Sequence, residues 1–260
     1  MLEQKKGIVF VIDGAGGSGF LPFVLSRILP EAGLEMNHFR WSAGYMRIIK
    51  DLTNRDTNRK KASELASVLR NYRLQFPEHQ LHLVAKSAGT AIALWAMTEL
   101  EPLTLDRVVL LSPAVSPVFP LDDALRAARQ DVYSFWSPAD VFFLDWGTSL
   151  FGTADGVYGR SAGLVGFARN RQNGQLSEQL PEQLPEQLSE QLSEQLSELL
   201  SGQLSEPLPE PVGTARLCEV KWAPSMISSL HVGDHSGTSM PPFIRKYVMP
   251  LLSPDLFPSK

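Results

Sequence analysis

The sequence predicts an α/β fold built on a mainly parallel sheet, for two reasons. Short apolar runs rich in β-branched residues recur along the chain, as strands buried on both faces require, and helical patterns fill the intervals between them. That alternation is the signature of a parallel sheet covered by helices on each side. Strands are expected at Gly7 to Ile12, Leu34 to Phe39, Gln80 to Ala85, Arg107 to Ser112, Val132 to Trp136 and Ala215 to Trp222. The clearest helix is Asn58 to Gln75, where Ala62, Leu65, Ala66, Leu69 and Tyr72 or Arg73 recur at three- and four-residue intervals while Lys60, Lys61, Glu64 and Arg70 face outward. Further helices are expected in Phe20 to Leu29, Thr90 to Thr98, Leu121 to Arg129 and Pro242 to Leu252.

Composition narrows the function classes. With 260 residues and 43% hydrophobic content the chain can bury a large core as one α/β domain, with or without a small cap. A net charge of −4 and a pI of 5.8 supply no basic surface for nucleic acid. The single cysteine, Cys218, rules out an internal disulfide framework and is compatible with a reducing compartment. Ile8 to Ile12 is too short for a signal-peptide core and enters a glycine loop in place of a cleavage site. No apolar run approaches the roughly 20 residues that span a bilayer, so a cytoplasmic protein with no membrane span is expected. Composition leaves the oligomeric state open.

One segment breaks the pattern. From Gln175 to Glu210 the chain repeats a Gln-Leu-Ser/Pro-Glu unit, with Pro181, Pro185, Pro207 and Pro209 in its third position. Leucines four apart advance about 40° around a helix per repeat, so they circle it and build no single apolar face. A low-complexity surface insertion at 175–210 is therefore expected, with a possible central helix at Gln187 to Leu200, inside a single domain formed by 1–174 and 211–260.

The most informative stretch is Leu81 to Leu94, LHLVAKSAGTAIAL, where an apolar strand runs into Ser87 and then into an apolar helix. Ser87 holds the serine position of G-x-S-x-G, with Ala85 in place of the first glycine and Gly89 as the second. A turn sharp enough to lift a hydroxyl above a sheet needs nearly bare positions two before and two after it. The plainer reading of Ser87 is an N-cap at an ordinary strand-to-helix turn. A serine nucleophile needs a base, and the base needs an orienting group. Asp140 follows the strand ending at Trp136, where catalytic groups gather in open α/β sheets, and His231 and His235 follow the last strand. Asp145 and Asp155 are fallback acids. A metal pair at His231 and His235 is disfavoured by the missing Glu of the zinc-protease motif and by Gly233. Phe142, Phe143, Trp146 and Phe151 are read as a cap, a pocket wall or plain core. Lys86 is read either as a contact for an anionic substrate group or as a surface partner of Glu99, and Trp41 as a buried residue in a turn near the pocket.

The elbow and the chain order Ser, Asp, His resemble those of the α/β-hydrolase-fold serine hydrolases of the esterase and lipase kind, over nearly the whole chain except the repeat. The resemblance implies a reduced sheet of roughly six strands, since the leading antiparallel hairpin is missing. It implies a triad of Ser87, Asp140 and His235, with His235 favoured as base because it precedes the last helix. Asp13-Gly14-Ala15-Gly16-Gly17-Ser18 resembles the oxyanion loop, so the implied oxyanion donors are the amides of Ala88 and of Ala15 or Gly16. Asp13 stands where a histidine is usual and is expected to point away and brace the loop. The implied activity is cleavage of a carboxylic ester or thioester on a small acyl substrate, with no organic or metal cofactor.

Two other readings stay open. Gly14-Ala15-Gly16-Gly17-Ser18-Gly19 also fits G-x-G-x-x-G between a strand and a helix, the context of a dinucleotide fingerprint, with Arg40 available to a 2′-phosphate and no acid at the end of the second strand. A nicotinamide-dependent reductase would use it. The third reading is a hydrolase-like fold that binds a ligand without turnover.

Overall fold

Runs that alternate between two apolar faces are stable only when both faces are covered, and the chain meets that demand with helices on each side of one sheet. The computed structural model describes residues 6–44, 48–140, 153–157, 159–168 and 215–257. All belong to one compact unit drawn from Met1–Ala168 and Thr214–Lys260. The repeat at 175–210, its expected helix at Gln187 to Leu200, the aromatic run with Phe142, Phe143, Trp146 and Phe151, and Asp145 lie outside the described residues.

The strands are Gly7–Ile12 (β1), Leu34–His38 (β2), Gln80–Lys86 (β3), Arg107–Leu111 (β4), Val132–Trp136 (β5) and Leu217–Lys221 (β6). They form a single sheet of order β2-β1-β3-β4-β5-β6, and every neighbouring pair is parallel. Side chains along each central strand divide by period two. Ile8, Phe10, Ile12, Leu81, Leu83, Ala85, Val108 and Leu110 enter one core, while Val9, Val11, Val84, Val109 and Leu111 enter the other.

The first core is closed by Arg55–Gln75 (α3), Gly89–Thr98 (α4) and Asp122–Arg126 (α5), through residues such as Leu65, Leu69, Ile92 and Leu125. The helix α3 begins three residues before the expected start at Asn58, because Asn54 accepts the Thr57 amide at 3.1 Å and caps it. The second core is closed by Phe20–Ile28 (α1) and by the C-terminal helix. The expected Pro242 to Leu252 helix is in fact α over Pro241–Phe243, π over Ile244–Val248 and α again over Met249–Leu252. Pro250 has no N–H to donate inside a helix, and the wider π turn precedes it.

After β1 the chain crosses to β2 on one side, and then returns to β3 on the other side of β1. The carboxyl ends of β1 and β3 thus form a topological switch point, the crevice in which open α/β sheets hold ligands. The glycine loop leaves β1 there, and Ser87 follows β3.

Candidate active site

Only Ser87 and Ala88 separate the end of β3 from the start of α4. Ser87 adopts φ 52°, a left-handed conformation that costs a residue with a Cβ about 1–3 kcal/mol. The surroundings hold it there. Its amide donates to the Leu111 carbonyl at 3.0 Å, and its carbonyl accepts from the amides of Thr90 and Ala114 and from Thr90 Oγ1. Gly89 must be glycine, because a Cβ there would lie 2.3 Å from the Asp13 carbonyl oxygen. Helix α4 starts without a side-chain cap, so Ser87 does not act as an N-cap. Its hydroxyl forms no hydrogen bond with any described residue.

Asp140 sits four residues beyond β5, in a turn where its amide donates to the Ser137 carbonyl at 3.2 Å. It is buried, and its Oδ2 lies 2.7 Å from His235 Nδ1. A carboxylate can only accept, so Nδ1–H donates and Nε2 becomes the basic nitrogen of the ring. Burial pushes the Asp140 carboxyl up from its ordinary value, against the His235 hydrogen bond and the positive charges of His235 and Lys86. Its second oxygen, Oδ1, has no hydrogen-bond partner among the described residues.

His231 is placed differently. It is buried, its ring meets Phe243 edge-on at 5.0 Å, and its Nδ1 accepts from the Gly233 amide at 3.4 Å. Burial holds its pKa down at about 4. Gly237 packs so closely on this ring that a Cβ would fall 1.9 Å from Nδ1. No group of three or more His, Cys, Asp or Glu among the described residues is arranged to hold a metal ion. Asp155, a fallback acid, accepts the Ser116 amide at 2.9 Å.

The His235 segment is tied to the sheet by two polar contacts. Lys86 Nζ donates to Ser239 Oγ, and Ser112 Oγ lies 3.5 Å from Thr238 Oγ1. These contacts set the turn Gly237–Ser239 over the carboxyl ends of β3 and β4, on the same rim as Ser87. They also correct the expectation for Lys86. It does not pair with Glu99, whose carboxylate accepts from Ser63 Oγ at 2.8 Å. It points inward, where burial lowers its pKa and the charges of Asp13, Asp140 and Asp234 oppose that fall.

Two carboxylates organise the glycine loop. Asp13 accepts from the Gly14 amide at 2.9 Å, the Gly19 amide at 2.7 Å and Ser18 Oγ at 3.2 Å. Its carbonyl accepts from Trp41 Nε1 at 2.8 Å, which seats that buried ring under the loop. Asp51, on Ile48–Thr53 (α2), accepts from the amides of Gly16 and Ala43 at 2.9 Å and from Ser42 Oγ at 2.5 Å. The Gly17 amide donates to the Gly14 carbonyl at 3.1 Å. Gly16 is therefore corrected as a candidate oxyanion donor, since its N–H is engaged by Asp51. Ala15 keeps an amide with no acceptor among the described residues, next to Gly14, where a Cβ would lie 3.2 Å from Ser87 Cβ. The dinucleotide reading needs the same amides for a pyrophosphate, and the protein's own carboxylates occupy them.

Sequence reasoning missed Asp51. Its contact with Gly16 joins positions 35 apart through a short helix whose pattern carries no motif. Of the expected triad, Asp140 and His235 are in direct contact and Ser87 stands on the same edge of the sheet.

No protein-family model matches the chain, and no curated protein matches it. Among solved structures it is similar to phospholipase PlaB from Legionella pneumophila in complex with thio-NAD, at 13% identity and a TM-score of 0.33, over 56% of this chain and 41% of that one. A likeness of that size assigns no chemistry. No helix among the described residues is long and apolar enough to cross a membrane.

Proposed function

We propose that this protein is a serine hydrolase of the α/β-hydrolase type that cleaves a carboxylic ester or thioester. The reading is carried by the buried 2.7 Å contact of Asp140 with His235, on the same sheet edge as a serine in a left-handed turn. In this reading His235 Nε2 takes the Ser87 hydroxyl proton as Oγ attacks the carbonyl carbon. The amides of Ala88 and Ala15 hold the oxyanion. Collapse of the tetrahedral intermediate breaks the bond to the alcohol or thiol, which leaves with the proton from Nε2. Water then attacks the acyl-enzyme by the same route and releases the acid and free Ser87. Asp140 keeps the imidazole in the required tautomer and offsets its positive charge. Deletion of the repeat at 175–210 is expected to leave activity intact.

Labelling with a fluorophosphonate probe, located by peptide mass spectrometry, tests the assignment. The expected result is a single adduct on Ser87 that is absent from Ser87→Ala and His235→Ala. A folded wild-type protein that takes no label would overturn it.

A further inference from the structure

Beside the glycine loop the structure holds a cavity of about 500 Å³, at the carboxyl ends of β1 and β2. Gly14 lines it, and Gly14 also lies beside the candidate nucleophile: a Cβ added there would lie 3.7 Å from Ser87 Oγ. Phe23, Phe39 and Trp41 give it an aromatic lining, with Phe23 57% exposed and the Arg27 guanidinium 5.1 Å from its ring centroid. At Gly19 and Gly44 a Cβ would meet no atom of a described residue within 4 Å.

The charged groups of this cavity are unequal. The Asp13 oxygens are already engaged by Gly14, Gly19 and Ser18. His38 is held toward its neutral form, chiefly by burial. Arg40 lines the same cavity, is exposed, and forms no ion pair or hydrogen bond with any described residue. A guanidinium that flanks an aromatic wall and lacks an internal acceptor presents a planar fork suited to a carboxylate or phosphate.

We propose that this cavity is a subsite for an oxyanion carried by the substrate, with Arg40 binding the carboxylate or phosphate and the aromatic wall covering the aryl or acyl body that joins it to the scissile ester. Lys86 cannot serve this role, because its ammonium is turned inward onto Ser239. The proposal rests on the hydrolase reading for the word substrate, while the binding itself does not.

Isothermal titration with phenyl phosphate, benzoate and benzyl alcohol tests the site. The two anions are expected to bind wild-type protein and Ser87→Ala at least tenfold tighter than the alcohol, and the tighter of the two tells phosphate from carboxylate. Arg40→Gln, an exposed substitution whose folding is checked by its Tm, is expected to abolish that difference, and Arg40→Lys to restore part of it. In turnover, wild type is expected to prefer 4-nitrophenyl hemiglutarate over 4-nitrophenyl valerate in kcat/KM, with the ratio falling to near one in Arg40→Gln. Equal binding of all three probes by wild type, or an anion preference that survives Arg40→Gln, overturns the proposal even if esters are cleaved. Arg40-dependent anion binding without cleavage of any ester supports the subsite and overturns the hydrolase reading instead.

Discussion

Asp140 and His235 stand 95 positions apart in the chain and meet through one 2.7 Å hydrogen bond, with the Asp140 side chain 1% exposed and the His235 side chain 15% exposed. On the proposed mechanism the enclosed acid orients the ring it touches, and one atom tests that role. Asp140→Asn keeps the shape and removes the charge. We expect kcat for a short acyl ester to fall by about 10²–10⁴-fold, with Tm nearly unchanged. An equal rate in the variant would take Asp140 out of the mechanism.

Stability should fall in mild acid for a reason unrelated to catalysis. His82 lies buried in β3 with neither ring nitrogen hydrogen-bonded to a described residue, and both it and buried His231 are held down at about 4, chiefly by desolvation. The unfolded chain takes up those protons near 6.5, before the folded one does. The stabilisation is therefore complete above pH 6.5 and is lost as pH falls toward 4, by about 1.4 kcal/mol per pH unit for each histidine. Urea unfolding at pH 4.5 to 7.5 should show this slope in wild type and about half of its histidine contribution in His82→Leu. An unchanged slope in that variant would refute the assignment.

Asp51→Ala tests the brace on the glycine loop. The substitution leaves the amides of Gly16 and Ala43 and the Ser42 hydroxyl without their acceptor. A loss of about 1–3 kcal/mol is expected, with a lower kcat from a displaced Ala15 amide. Chemical denaturation and ester kinetics report the two effects separately.

Lys86→Met removes the cation that favours the charged form of Asp140. Burial then acts with less opposition and the carboxyl pKa rises further. The acid limb of the kcat/KM profile should move to higher pH, while Lys86→Arg should keep it near the wild-type position. Coincident profiles for wild type and Lys86→Met would show that Lys86 only fills space.

The centre of the sheet was legible because β1, β3 and β4 are short, mostly apolar and buried on both faces, so period and composition agree there. Asp140 and His235 were legible as candidates because each follows a strand at the edge where functional groups collect. The brace of Asp51 on Gly16 was not, since a carboxylate on a short helix reads as a solvated side chain until the fold turns it inward. Lys86 misled for the same reason. A lysine next to a turn is usually exposed, and only the docking of Ser239 above β3 shows where its ammonium ends. The π turn before Pro250 had no signature beyond the proline itself.

The distance in sequence between the elbow and the histidine that would serve it has a consequence for synthesis. A growing chain emerges from the ribosome with Gly14 and Ser87 long before Asp140, and with Asp140 long before His235. The serine turn can form around β1, β3 and β4 while its base is still untranslated. On the proposed mechanism, the nascent protein would carry an inert hydroxyl until Gly237–Ser239 docks on Lys86 and Ser112, making the last strand and helix the step that arms it.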